Sequence, residues 1–473
     1  MRFAPEPPTR GGTQSRRPSE LVFRLSLVYR RRPAGRVARS LAVLSVLTTP
    51  GVALRAQPVR AAEPAAADGP LQPVTRAQAV SIALERGVAA PVGRADTAAA
   101  NAGFAVARAL PNPTLAASYT GSAPQLHASV DIPLDLPAFR GLRVNSARAA
   151  LASSRLQFAY TRATVRYDVE VAYGQALAAG ERATLSRQSA RDADSLLTLA
   201  RRQRDAGDAS DVDVDLASIN AGQQENVAAG DSLAAITTVL DLQTLLGLQS
   251  DQPRITLAES LPALIASALA AERVLGGQGA SGAVGITTGQ GSIARQAPPL
   301  QVAAAAATYE AQDFALGLAR RRNALVPSVQ VGVEGRDPTG GPRGPLPLVG
   351  FSLPLPLFNR FQGDVALANA NRVRAAAQFD AARRTAAGAI ARARRDLVSG
   401  ATRVERDRVL LETARRVAAK TLTGYRTGAS ALPAVLQAQR SVRDAFVQYA
   451  TDAVTAANAA AAVRLATASE GTP

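Results

Sequence analysis

The sequence predicts an α+β chain in which two long helical hairpins, each preceded by a pair of β-strands, are copies of one another. Three observations carry this. Related segments recur at a fixed offset, small residues recur at helical spacing over very long stretches, and ahead of each stretch the pattern switches to strict alternation.

The repeat is legible at two landmarks. "DIPLDLPAFRG" (Asp131 to Gly141) is similar to "SLPLPLFNRFQG" (Ser352 to Gly363), which places Pro133 and Pro354 221 positions apart. "DAGDASDVDV" around Gly207 is similar to "RTGASALPAV" around Gly428, again at 221. Two landmarks far apart in the chain that keep one register indicate an internal duplication.

Taken in order, the chain opens with a basic block. Arg30, Arg31, Arg32, Arg36 and Arg39 precede the apolar run "LAVLSVLTTPGVAL" and then "RAQP", so residues 1–56 read as a signal peptide cleaved after Ala56. The run is too short to span a bilayer and is broken by Pro50 and Gly51. Residues 57–74 form an N-terminal extension, and 75–248 the first repeat of helix, two strands and helical hairpin. Its first helix starts at Thr75, where "TRAQ" makes a capping box with Gln78.

Next comes "QLHASVDI", in which Leu126, Ala128, Val130 and Ile132 alternate with His127, Ser129 and Asp131. In the second half, "VPSVQVGVEG" sets Val329, Val331 and Val333 against Ser328, Gln330, Gly332 and Glu334. Each is a strand with one apolar and one polar face. Each pairs with a neighbour across a turn, "GSAP" at Gly121 and "GRDPTGGPRGP" at Gly335, and strands of about 8 to 11 residues cross a bilayer when tilted. Four strands cannot close a barrel, and open edges are not tolerated in lipid, so several copies must each contribute four; three give twelve.

Pro133, Pro137, Pro354 and Pro356 mark the strand-to-helix transitions, because each removes a ladder donor and blocks helix immediately before it. The long helix then runs from Ala138 to Ala206, about 100 Å at 1.5 Å per residue. Val165, Val169, Ala172, Ala176 and Ala179 form its inward stripe, repeated by Ala386, Ile390, Ala393, Leu397 and Gly400. Gly207 and Gly428 supply left-handed turns, and the return helices span Asp211 to Leu248 and Ala431 to Ala468. Residues 249–296 read as a linker and irregular region with a Gly-rich run from Gly276 to Gln296. The second repeat covers 297–468, its first helix beginning near Pro298 and Pro299, and 469–473 is a tail.

Composition narrows the function. Hydrophobic residues make up 47% of the chain but aromatics only 4%, so alanine must do much of the packing, which suits closely spaced helices. The net charge of +17 is concentrated at the N-terminus, where eleven Arg against Glu6 and Glu20 leave only +8 for the rest. With no basic cluster interleaved with aromatics, nucleic acid is not a partner. No enzyme is expected: there is no Cys, His127 stands alone in a strand as a polar lumen residue, and no Ser/His/Asp set or metal-ligand spacing exists. No catalytic, cofactor-binding or metal-ligating residue is assigned, and no cofactor.

"PVTRAQAVSIALERG", "LPNPTLAASY", "YRTGASALPAVLQAQ" and above all "GFSLPLPLFNRFQGDVALANA" resemble the TolC-like family of trimeric outer-membrane efflux channels of Gram-negative bacteria. The last motif is most similar to the heavy-metal-cation (cobalt-zinc-cadmium) efflux branch. The resemblance covers Val74 to Ala468 and implies a trimeric channel-tunnel, a twelve-stranded barrel continued into the periplasm by a coiled-coil barrel of helices. It implies a homotrimer in outer-membrane lipid, a periplasmic adaptor (membrane fusion) protein and an inner-membrane pump of the resistance-nodulation-division type, for which the channel is a passive exit duct. Gly207, Gly428, Tyr425, Arg426 and Ser430 match the adaptor-contact turns. Asp213, beside Asp211 and Asp215, matches an acidic periplasmic tip gate, whereas the second-half gate positions hold Ala434 and Gln437. The Asp cluster also reads as a solvated helix start stabilised by the helix dipole. The alternatives are the outer-membrane channel of a type I protein secretion system, or a non-channel periplasmic coiled-coil adaptor or scaffold.

Overall fold

The computed structural model describes residues 72–122, 125–280, 297–321, 327–335, 345–353 and 359–469. The signal peptide, Pro354 and Pro356 lie outside these residues. The element order is β1 (Gln72–Val74), α1 (Arg76–Arg86), α2 (Ala89–Arg108), β2 (Thr114–Tyr119), β3 (Leu126–Pro133), α3 (Pro137–Asp205), α4 (Asp211–Leu245), β4 (Ile255–Leu257), α5 (Leu261–Ala280), α6 (Leu300–Arg321), β5 (Ser328–Gly335), β6 (Leu346–Ser352), α7 (Gln362–Arg426) and α8 (Leu432–Thr467). No helix among the described residues is long and apolar enough to cross a membrane.

The offset seen in the sequence reappears in the backbone: α3 ends at Asp205 and α7 at Arg426, 221 positions later. The two helices are 69 and 65 residues long. α4 packs antiparallel along α3 and α8 along α7, while α6 lies against both long helices. The expected stripe faces inward: Val169, Ala176, Ala386, Ala393 and Leu397 are buried. Gly400 sets the closest approach, since a Cβ built there would stand 3.1 Å from the Cα of Ala456 on α8.

α1 begins as its sequence dictates. The Thr75 hydroxyl accepts from the Gln78 amide, and the Gln78 side chain accepts from the Thr75 amide at 2.9 Å, a reciprocal capping box. α1 then buries Ala79, Val80 and Ala83 against Val169 and Tyr173 of α3 and Leu242 and Leu246 at the end of α4. Each of these large side chains contributes about 1.5–3 kcal/mol by burial. The Tyr173 hydroxyl, inside this cluster, donates to the Val74 carbonyl at 3.0 Å and ties the parallel β1–β4 pair to the long helix.

The stretch 249–296 differs from a plain linker, because β4 and α5 occupy residues 255–257 and 261–280. Leu261, Leu264, Ile265 and Ala268 follow a 3,1,3 spacing that gives α5 one apolar face, and all four are buried. Three of them join a core with Leu177, Val404, Leu411 and Phe446 from α3, α7 and α8. The Gly-rich run from Gly276 starts inside α5, and its remainder from 281 lies outside the described residues.

The other sheet is antiparallel in the order β2-β3-β5-β6. Its strands are six to eight residues long, shorter than the sequence suggested for β2 and β6. The register places Val130 opposite Val331 and His127 opposite Glu334, so the alternation of all four strands coincides. One face carries Leu115, Tyr119, Ile132, Val331, Val349 and Phe351, all exposed. The other carries His127, Ser129, Asp131, Ser328, Gln330 and Glu334.

Candidate functional site

Two places combine unusual geometry with the residues singled out by sequence: the four-stranded sheet and the paired helical turns at the far end of the long helices. On the polar face of the sheet, side chains bond across strands rather than standing free. The Ser328 hydroxyl donates to Asp131 at 2.6 Å, the Gln330 amide to the Ser129 hydroxyl at 2.9 Å, and His127 Nδ1 lies 3.1 Å from Glu334 Oε1. Gly332 lets β5 lie close to β3, because a Cβ there would meet the Ala128 carbonyl oxygen at 2.4 Å. Among the described residues no element covers the apolar face. Among the described residues the backbones of β2 and β6 are each paired on one side only, so the sheet ends in two open edges.

Pro133 closes β3, opposite Ser328, and Pro137 is the first residue of α3, where a missing N–H costs nothing. The chain between them is pinned by Asp135, whose carboxylate accepts from Arg143 at 2.9 Å. At the corresponding entry to α7, Phe361 adopts φ +56°, and its amide donates to the Asn359 side chain at 2.8 Å.

At the opposite end, the two turns share one geometry. Gly207 has φ +84° and Gly428 φ +73°. In the first turn the Asp208 amide donates to the Gln203 carbonyl at 2.8 Å and the Gly207 amide to Arg204 at 2.9 Å. In the second, Ala429 donates to Gly424 at 2.7 Å and Gly428 to Tyr425 at 3.2 Å. Both are Schellman closures that satisfy the last carbonyls of a long helix. Gly424 was not singled out by sequence; it leaves room for Ser430, whose hydroxyl would stand 2.4 Å from an added Cβ. The signal was its spacing from Gly428.

The fold brings the two turns together. Leu196, Leu197 and Ala200 of α3, Ala217 of α4, Tyr425 of α7 and Leu432, Val435 and Leu436 of α8 form one buried cluster. Tyr425 is therefore a packing residue: its ring is buried and its hydroxyl has no hydrogen-bond partner. Burial, reinforced by the negative charge of Asp213, raises its pKa. Arg426 and Ser430 sit at the turn itself.

The three acidic residues have different roles. The Asp213 carboxylate folds back on its own helix start, accepting from the Ser210 amide at 3.1 Å and from the Ser210 hydroxyl at 2.8 Å, while that hydroxyl accepts from the Asp213 amide at 3.2 Å. It completes a capping box. Asp215 is exposed, and Asp211 is 87% exposed with Arg204 at 3.9 Å. The second turn has no counterpart, since α8 starts at Leu432 and Pro433 after an Ala431 cap.

Known proteins now enter the comparison. Residues 80–248 match the family described as outer membrane efflux protein. No curated protein matches by sequence. Among solved structures, a membrane protein from Pseudomonas aeruginosa is similar at 19% identity and TM-score 0.64, over 83% of this chain and 90% of that one. The outer membrane protein VceC of Vibrio cholerae is similar at 15% identity and TM-score 0.62, over 83% and 96%. The CmeC outer membrane channel of Campylobacter jejuni is similar at 14% identity and TM-score 0.65, over 83% and 85%. The fold is that of these outer membrane proteins.

The turn geometry sets a first expectation. Gly207→Val and Gly428→Val each place a β-branched residue in the left-handed region, with nothing within 4 Å of the added Cβ to blame. Each substitution should cost about 1–2 kcal/mol from backbone strain alone. Thermal unfolding checks this: Gly222→Val, in mid-helix with equal free space, should lose less than either turn variant.

Proposed function

We propose that this chain is the outer-membrane channel subunit of a tripartite efflux system, an exit duct rather than an enzyme. The observation that carries this is the four-stranded sheet. It has one uncovered apolar face, one hydrogen-bonded polar face and two open edges, set at the head of helices about 100 Å long. Such a sheet suits lipid only when copies pair β6 of one chain with β2 of the next, and three copies give twelve strands. The helices support the same assembly: Val212, Leu216 and Ile219 on α4, and Val409, Leu410 and Val417 on α7, are exposed apolar side chains that a second copy would cover. The family match over residues 80–248 and the repeated landmarks support an efflux channel built by internal duplication.

On this reading the turns at Gly207 and Gly428 meet a periplasmic adaptor protein, with Tyr425 fixing the turn from within and Arg426 and Ser430 facing the partner. The inner-membrane pump, of the resistance-nodulation-division type, selects the cargo, and the motif from Gly350 to Ala370 points to heavy-metal cations. The gate charge is carried by Asp211, Asp213 and Asp215, of which Asp213 also holds the helix start through Ser210.

Membrane fractionation and native mass measurement test the proposal: a trimer in the outer membrane is expected, and a monomer soluble without detergent would refute it. Within the assembled channel, Val331→Arg should cost about 2–4 kcal/mol near the midplane, whereas Gln330→Arg on the polar face should be tolerated. Equal assembly defects would rule out the assigned faces. Asp211→Asn should weaken block of single-channel current by polyvalent cations, and unchanged block would remove Asp211 from the gate.

A further inference from the structure

Each helical hairpin carries a polar clamp at the same level, and two residues differ between the copies: Ser186 and Val227 of the first half are replaced by Asp407 and Gln448 in the second. In the first half, Arg182 Nε donates to Asp231 Oδ1 at 2.8 Å, and the Ser186 hydroxyl lies 2.6 Å from Asp231 Oδ2. These three residues join α3 to α4. Adding 221 to each position gives Arg403, Asp452 and Asp407. In the second half, Arg403 Nε donates to Asp452 Oδ1 at 3.0 Å, and Gln448 donates to Asp452 Oδ2 at 2.8 Å. A second carboxyl, Asp407, thus stands where the first half has a hydroxyl donor.

Two carboxyl groups in contact bond only if one holds a proton. Asp407 and Asp452 are 7% and 6% exposed, and Asp407 Oδ2 has no hydrogen-bond donor facing it. Asp452, by contrast, is satisfied as an anion by Arg403 and Gln448. Asp407 is therefore the member that must be neutral, donating to Asp452 from the place where the Ser186 hydroxyl faces both Asp231 and the Arg182 carbonyl at 2.6 Å.

We propose that the Asp407–Asp452 pair is a proton-dependent clamp between α7 and α8, closed when it holds one proton and loosened when it holds none, while the α3–α4 clamp built on Ser186 needs no proton shared between carboxyl groups. The direction of titration agrees. Burial, and then the hydrogen bond to and charge of Asp452, raise the pKa of Asp407. Burial also acts to raise Asp452, but the hydrogen bonds from Gln448 and Asp407 and the charge of Arg403 outweigh it and leave Asp452 low. The charged groups facing the pair are Arg403 and Arg406 on α7; α8 adds the neutral Gln448. α3 and α5 meet this core with Leu177, Leu185, Leu264 and Ile265.

The sign follows from linkage. Asp407, raised, stabilises the clamp fully below the ordinary carboxylate pKa and loses that contribution as pH rises through its folded-state value. Asp452, lowered, stabilises it above the ordinary value and fails only in stronger acid. The clamp is tightest between the two.

Hydrogen exchange of the purified protein, corrected for the intrinsic pH dependence of amide exchange, tests this. Protection of 403–411 and 448–456 should fall about tenfold per pH unit, the slope of one proton, until the folded-state pKa of Asp407 is passed. Protection of 182–190 and 227–235 should not follow. Asp407→Ser should give the second half the flat profile of the first, and Ser186→Asp should give the first half the sloped one. Equal pH profiles for both hairpins in the unaltered protein, or a slope that survives Asp407→Ser, would overturn the proposal.

Discussion

The open edges of the β2-β3-β5-β6 sheet are the constraint on which the rest depends. Every backbone N–H and C=O in a hydrocarbon environment needs a partner, and among the described residues β2 and β6 find one on only one side. On the proposed channel reading the requirement passes to other copies, and copies brought together at the sheet would also run alongside one another through the helices. The exposed apolar side chains of α4 and α7, costly on an isolated chain, would then form an interface. The alternation that leaves Val331 and Phe351 uncovered is the same alternation that aligns His127, Ser129 and Asp131 with Glu334, Gln330 and Ser328.

Long helices held side by side need close packing more than bulk. Alanine and glycine supply it: Ala176, Ala386 and Ala393 lie buried in the seams, and Gly400 approaches Ala456 too closely for a larger residue. Such a seam is thin, so its few polar links weigh heavily. The Arg182–Asp231 and Arg403–Asp452 pairs hold matching levels of the two hairpins with the carboxylates almost fully or largely buried. A substitution beside one of them, Ser186 in one copy and Asp407 in the other, changes which proton the link needs.

Much of this was legible in the residues. Periodicity placed the long helices, and the glycine landmarks placed the turns, because left-handed backbone and a helix reversal leave little choice of residue. The Thr75 capping box was read from four letters and appears as such. The Asp213 cap is also written in the sequence, as Ser210 three residues before it, but three alternating aspartates fit a solvated charge cluster equally well. α5 was masked by the Gly-rich run that follows its apolar face. Tyr425 read as a contact residue, and only its packing among Leu196, Leu432 and Leu436 shows that it faces inward. The Asp407–Asp452 contact joins residues far apart in sequence, and periodicity along one helix cannot reveal which side chains meet across two.

Strand pairing between copies is the central claim, and cysteine cross-linking measures it most directly because the chain contains no cysteine of its own. A cysteine at Ala116 on β2 is combined in turn with one at Leu346, Leu348 or Gly350 on β6, all on the polar face of the sheet. Oxidation of the membrane-embedded protein should trap one of these pairs as a covalent trimer that resists denaturant and collapses to monomer on reduction. Monomer alone from all three pairs, in protein shown to be folded, would mean that β6 does not meet β2 of a neighbouring copy, and the barrel built on that contact would have to be abandoned.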